Sequence, residues 1–227
     1  MNLTNLGKII ILSMVCLLSF TNVVAQETHV QLIERIISCE GYMTIFEHDN
    51  QNRISRVVSQ RPDGVIFETY TVAYEDNNAI TVVFNNHGLS NISTFEYVRD
   101  GNIVTVKRDG VPESTLRLNE EGLIISRNED ETNISYLNGN IVRMGEQIYL
   151  HDDKNSPFLN SNTPQWILDL VYDLNGFHLK NNVIEIEYDG QVVFRINYDY
   201  DRNGFPTRST NNFDESLVFE YIFEIAN

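Results

Sequence analysis

The chain has 227 residues, with 32 acidic side chains against 16 Lys and Arg and a formal net charge of −16. A field of that sign repels nucleic acid and anionic lipid, so neither is an expected partner. The two cysteines are Cys16 and Cys39; with Cys16 in a leader, no internal disulfide can form, and stability has to come from one buried core, which a chain of this length can supply.

Residues 1–25 read as an export signal. Lys8 supplies the positive start, residues 9–20 the apolar run, and Val23-x-Ala25 a small-residue cut before Gln26. The run is too short for a comfortable membrane span, so none is expected after cleavage. The alternative is a lipoprotein start at Cys16, but Val15 stands where a lipobox wants a small side chain. Residues 26–227 read as a single β domain.

In residues 31–39, Leu32, Ile33, Ile36 and Ile37 fit a helical stripe as well as a strand. A hairpin signal follows at once, so a strand pairing with 44–48 is expected. That signal is an aromatic strand end, an acidic or Asn-containing turn, and a new strand. It occurs around Phe46-Glu47-His48-Asp49-Asn50, Tyr97-Val98-Arg99-Asp100-Gly101, Tyr136-Leu137-Asn138-Gly139, Tyr188-Asp189-Gly190 and Tyr198-Asp199-Tyr200-Asp201-Arg202-Asn203-Gly204. Asn-Gly and Asp-Gly accept the positive φ of tight hairpin turns, and the flanking Tyr, Phe, Val and Ile suit a pleated surface. A two-residue loop at Asp100-Gly101 would set Tyr97 opposite Val104 and Phe95 opposite Val106. At Asp189-Gly190, face matching asks for a three-residue loop with Gly190 left-handed. Ile184, Ile186, Val192, Phe194 and Ile196 then share one face, and Glu185, Glu187 and Arg195 the other. Further strands are expected over 65–75, 79–85, 91–98 and 103–108.

The meander is interrupted once. Residues 154–162 read as a loop, after which Thr163 can cap and Pro164 can open a helix. Ile167, Leu170, Val171 and Leu174 form its stripe, Trp166 lies in its first turn, and Asn175-Gly176 ends it. Strands are expected again over 183–188, 192–198, 205–210 and 217–225. The fold class is therefore all-β: an antiparallel meander of repeated hairpins forming a strongly curved sheet or barrel, with one short helix over about 164–173 laid across an open end and aromatics filling the interior.

The Tyr-x-Tyr-Asp-x-x-Gly-x-Pro wording at 198–206 resembles the YD (Rhs-type) repeats of bacterial surface and toxin-shell proteins. Tyr149-Leu150-His151-Asp152-Asp153-Lys154-Asn155-Ser156-Pro157-Phe158, then Lys180-Asn181-Asn182-Val183, then residues 198–207 and Phe219-Glu220-Tyr221-Ile222-Phe223 are similar to a family of uncharacterised exported proteins of gut Gram-negative bacteria with a porin-like domain. The resemblance spans most of the mature chain and implies a β fold and an envelope location, but no activity, cofactor or catalytic residue. Many of those proteins are lipoproteins, and this chain departs from them in lacking a lipobox. Glu185, Glu187 and Arg195 on one face also argue against lipid-facing strands, so a soluble curved sheet or barrel is expected.

Asp199, Asp201 and Asn203, followed by Gly204, match the first half of a calcium loop. Thr210 stands in the twelfth place and no helices flank the segment, so it reads as a hairpin tip and no metal or cofactor is expected. His151-Asp152-Asp153 reads as a strand end opening a loop. No zinc spacing and no Gly-x-Ser-x-Gly elbow occurs. Two function classes follow: a monomeric, non-enzymatic binding or structural module whose partner the sequence does not name, and a carboxylate-based, glycan-directed hydrolase or carrier of a small apolar ligand in the concavity.

Overall fold

The computed structural model describes residues 30–75, 79–128, 134–172, 180–211 and 216–226. The predicted export signal and the predicted helix end at Asn175-Gly176 lie outside them. The strands of the first half are β1 (Gln31–Ser38), β2 (Met43–His48), β3 (Ile54–Gln60), β4 (Ile66–Tyr74), β5 (Ala79–Asn86), β6 (Asn91–Asp100), β7 (Ile103–Arg108), β8 (Val111–Leu118) and β9 (Ile124–Arg127). Those of the second half are β10 (Ile134–Leu137), β11 (Asn140–Met144), β12 (Gln147–His151), β13 (Val183–Tyr188), β14 (Gln191–Tyr200), β15 (Pro206–Asn211) and β16 (Leu217–Ile225), and a helix, α1 (Gln165–Tyr172), lies between β12 and β13.

All sixteen strands form one antiparallel sheet. Apart from β9 and β10, consecutive strands pair with each other, and β1 also pairs with β16, Ile36 opposite Tyr221. The sheet thus rolls into a nearly closed barrel whose two edges, β9 and β10, fall in the middle of the chain. β1 is a strand and pairs with β2 as expected, Ile36 opposite Thr44.

The repeated hairpin signal resolves into two turn types. In the first, five residues close the turn: the first N–H donates to the fifth carbonyl, and the fourth N–H donates back to the first carbonyl. Ser38–Tyr42, Asp49–Arg53, Arg61–Val65, Asn119–Leu123 and Asp201–Phe205 all do so. The fourth residue has positive φ, and Asn52, at 61°, fills the place that glycine takes in the other four. Asp49, Asn119 and Asp201 lead three of these turns because a carboxylate or amide oxygen there accepts two more backbone N–H groups.

The second type is a two-residue turn. Asp109-Gly110, Asn138-Gly139 and Asp189-Gly190 have both residues at positive φ. The Asp189-Gly190 expectation is therefore corrected: Tyr188 faces Gln191 across a two-residue turn, and a bulge at Val193 makes the change of face. Ile186 still opposes Phe194 and Glu185 still opposes Arg195, but Val192 opposes Glu187. The hairpin of β6 and β7 is corrected too. Its loop is Gly101-Asn102, so Tyr97 opposes Val106 and Arg99 opposes Val104. Glycine at the first loop position suits the observed turn, and the slip by two residues leaves every side chain on its expected face.

The inward face carries the core. Ile33, Phe46, Val57, Val82, Val104 and Leu116 join Trp166, Ile167, Leu168 and Val171 of α1 in one cluster. A smaller cluster of Ile141, Tyr149, Val183 and Ile186 lines β11 to β13. The interior is thus more aliphatic than expected. In the helix, Ile167 and Val171 of the expected stripe are buried and Leu170 is half-buried against the same cluster. Trp166 and Leu168 are buried too, while Asp169 is half-buried, so the buried face is wider than one stripe and α1 acts as a plug.

Candidate functional site

The long connector between β12 and β13 carries α1 across one end of the barrel. Its polar residues hydrogen-bond to the hairpin tips there. Asn155 donates to the carbonyls of Gly204 and Asn203, at 3.0 and 2.9 Å, and Asn162 to those of Asn52 and Gln51, at 2.9 and 2.7 Å. Thr163 does not cap the helix. Its hydroxyl accepts the Ile54 N–H at 2.7 Å instead, and the first helical bonds run to the Pro164 carbonyl.

Gln165 then reaches the open seam. Its amide oxygen accepts the Ile124 N–H of β9 at 2.9 Å, and its amide nitrogen donates to the Tyr136 hydroxyl of β10 at 3.3 Å. Tyr136 donates in turn to the Ile124 carbonyl at 2.7 Å. Both backbone groups of Ile124 are thereby satisfied by side chains where a neighbouring strand would normally do it.

With the plug in place, a cavity of about 610 Å³ remains between α1 and the inner face of β4 to β9. One wall is aromatic: Tyr70, Phe95, Tyr97 and Trp166. Tyr97 and Trp166 stack with centroids 5.3 Å apart and planes 31° apart. The rim is polar, with Glu113, Ser114, Arg127, Asn128 and Asp169. Burial drives the Tyr97 hydroxyl well above the ordinary phenol range; Arg127 pulls it back, and Glu113, Asp169 and Tyr70 push it further up. Tyr97 is therefore a protonated hydroxyl amid charges of both signs. The arrangement offers a ring-stacking surface, a phenolic group, and polar partners at the edge.

The residues singled out from sequence lie elsewhere. Asp201 and Asn203 are held in the β14–β15 turn: Asp201 accepts from Gln31 at 3.0 Å, and Asn203 donates to Gln31 at 2.7 Å. Asp199 is exposed on the strand and opposes Arg208. His151 ends β12, where burial lowers its pKa. Asp152 opens the connector and is a hub, accepting from the Tyr200 hydroxyl, the Asn182 backbone and the Lys154 backbone. Burial, and then the bond to Asp152, hold the Tyr200 hydroxyl far above its usual range.

A concavity able to carry a small ligand was expected; the residues that line it were not. Alternation places Phe95 and Tyr97 on one face of a strand, and Tyr70 and Tyr74 on one face of another. It does not say that an inserted helix leaves space beside them. Gln165, polar in an apolar stretch at the start of a helix, was the one local sign of the seam.

No family model matches the chain, and no curated protein does. Among solved structures, the chain is similar to a porin-like protein from Bacteroides uniformis, over 85% of this chain and 98% of that one, with 13% identity and a TM-score of 0.39.

Proposed function

We propose that the protein is an exported, water-soluble β-barrel that binds a small amphipathic ligand inside it without turning it over. The cavity carries this reading: an aromatic wall under a polar rim suits a molecule with a flat apolar face and polar edges, and about 610 Å³ is ligand-sized. Export rests on the leader, residues 1–25, and on the resemblance to exported envelope proteins. Solubility rests on the outer face, where charges pair across strands: Glu47 with Arg56 at 2.7 Å, Glu96 with Lys107 at 3.8 Å, and Glu185 with Arg195. Each Arg or Lys facing lipid at the bilayer midplane would cost about 2–4 kcal/mol. Binding rather than hydrolysis is favoured because the two rim acids do not form a buried pair: Glu113 is exposed and turned to Arg108, 3.9 Å away, and Asp169 is half-buried on α1.

The sole tryptophan, Trp166, lines the cavity and reports on it. Titration with the neutral fluorophore N-phenyl-1-naphthylamine should quench Trp166 emission to a 1:1 end point. Ser114→Phe, which fills the space from the β8 wall, should abolish the quenching. Unchanged emission with the wild-type protein, or undiminished binding to the variant, overturns the reading.

A further inference from the structure

A second space, of about 300 Å³, opens at the plugged end, where Arg53 of the β2–β3 turn, the ends of β4 and β5, and Arg99 of β6 meet the connector. It has Trp166 in common with the inner cavity and no other residue. Its cations are Arg53 and Arg99. Arg53 is committed: it binds Asp49 through two nitrogens, at 2.6 and 2.8 Å, and lies 4.0 Å above the Tyr74 ring. Burial works to raise the Asp49 carboxyl, but the bonds from Arg53 and Gln51 outweigh it and hold the group below its ordinary value, so that pair stays charged. Arg99 differs. Its Nε donates to the Gly101 carbonyl at 2.9 Å, and among the described residues no carboxylate pairs with it. Arg99 also lines the neighbouring opening of about 500 Å³ beside Pro164 and Lys180.

We propose that this mouth is a second binding site, for a small monocarboxylate carrying a flat ring. The two terminal nitrogens of Arg99 match a carboxylate as a planar fork. Tyr74, Ile80, Pro164 and Trp166 line the apolar side for the ring, with Arg53 over the Tyr74 face. A space of about 300 Å³ accommodates a single ring. A net charge of −16 opposes anions at long range, and Glu75 stands in the same lining. Both penalise a second negative charge, so the site favours a monoanion over a phosphate. The proposal stands apart from the inner-cavity reading, since the side chains that decide each are different.

Benzoate is the probe, titrated by calorimetry at low salt into the wild-type protein and three variants. Arg99→Gln should weaken binding at least tenfold while leaving the unfolding midpoint unchanged, because Arg99 is exposed. Ser114→Phe and Arg127→Gln, which alter the inner cavity, should leave benzoate affinity within twofold. Absence of benzoate binding overturns the proposal. So does equal affinity in Arg99→Gln, or loss in Ser114→Phe or Arg127→Gln, which would move benzoate to the inner cavity. Inorganic phosphate bound more tightly than benzoate through Arg99 would overturn the carboxylate assignment.

Discussion

At the scale of single residues, the barrel is tied together by inward tyrosines whose hydroxyls reach another segment's backbone. Tyr74 donates to Ile54 at 2.9 Å, Tyr136 to Ile124 at 2.7 Å, and Tyr198 to Val183 at 3.1 Å. Gln165 is the most exposed to failure of these ties, because removing it leaves the Ile124 N–H without its acceptor, while Tyr136 keeps only its bond to the Ile124 carbonyl. Gln165→Leu should cost about 1–3 kcal/mol in denaturant unfolding. It should also speed hydrogen exchange at the Ile124 amide more than at Val104 in the core. The tyrosines set the alkaline limit of stability. Burial pushes Tyr74 and Tyr221 up to about 12, against about 10 in an unfolded chain. Between those values the native state keeps protons that the unfolded state has lost, so stability is full below pH 10 and falls as pH rises toward 12. Absorbance at 295 nm should show a group of tyrosines ionising only together with loss of the folded circular dichroism. If all tyrosines ionise near pH 10 with structure intact, the burial argument is wrong. Tyrosines on inward strand faces could be read from alternation; their partners could not, because each lies on a strand or connector distant in sequence.

At the scale of elements, the hairpins were legible and their loop lengths were not. Asp-Gly and Asn-Gly mark the turns well, but a bulge such as that at Val193 changes face without any turn residue to announce it. The five-residue turns do carry a usable sign, a leading Asp or Asn three residues before a Gly or Asn. Asn119→Ala removes two accepted N–H bonds and should lower stability by about 1–2 kcal/mol. Thr115→Ala, on the outer face of β8, is the control and should change little. The helix was placed correctly within a residue, and Ile167 and Val171 of its stripe are buried as expected. Ile167 is 0% exposed, whereas Leu170 borders the cavity. Ile167→Ala should therefore cost about 2–5 kcal/mol in urea unfolding. Leu170→Asp should cost clearly less than Ile167→Asp, because a carboxylate at the cavity wall can stay hydrated. The opposite order would restore the lid geometry.

At the scale of the whole molecule, curvature followed from the sequence and closure did not. Sixteen short amphipathic strands demand a curled sheet, yet whether β1 meets β16 depends on an accumulated twist that no local motif encodes. The outer ion pairs give a direct expectation. The protein expressed without residues 1–25 should refold from urea without detergent and sediment as a monomer, and a requirement for detergent would contradict a water-facing exterior. The position of the seam gives another. A circular permutant that joins the ends of β16 and β1 through a short flexible linker and opens the chain between β9 and β10 cuts no strand pairing. It should melt within a few degrees of the wild type, whereas opening the chain between β4 and β5 should cost far more.

The ladder between β1 and β16 also orders events in time. Gln31 pairs with Ile225, so the first strand to be synthesised waits for the last before its outer edge is covered. Until then the β1 edge offers unpaired backbone groups to any neighbouring chain, the situation in which nascent β proteins aggregate. Contacts so far apart along the chain also make folding slow relative to helical proteins of this length. Folding yield should therefore fall steeply with expression rate, and rise when a holding chaperone is co-expressed, while the stability of the molecules that do close remains the same.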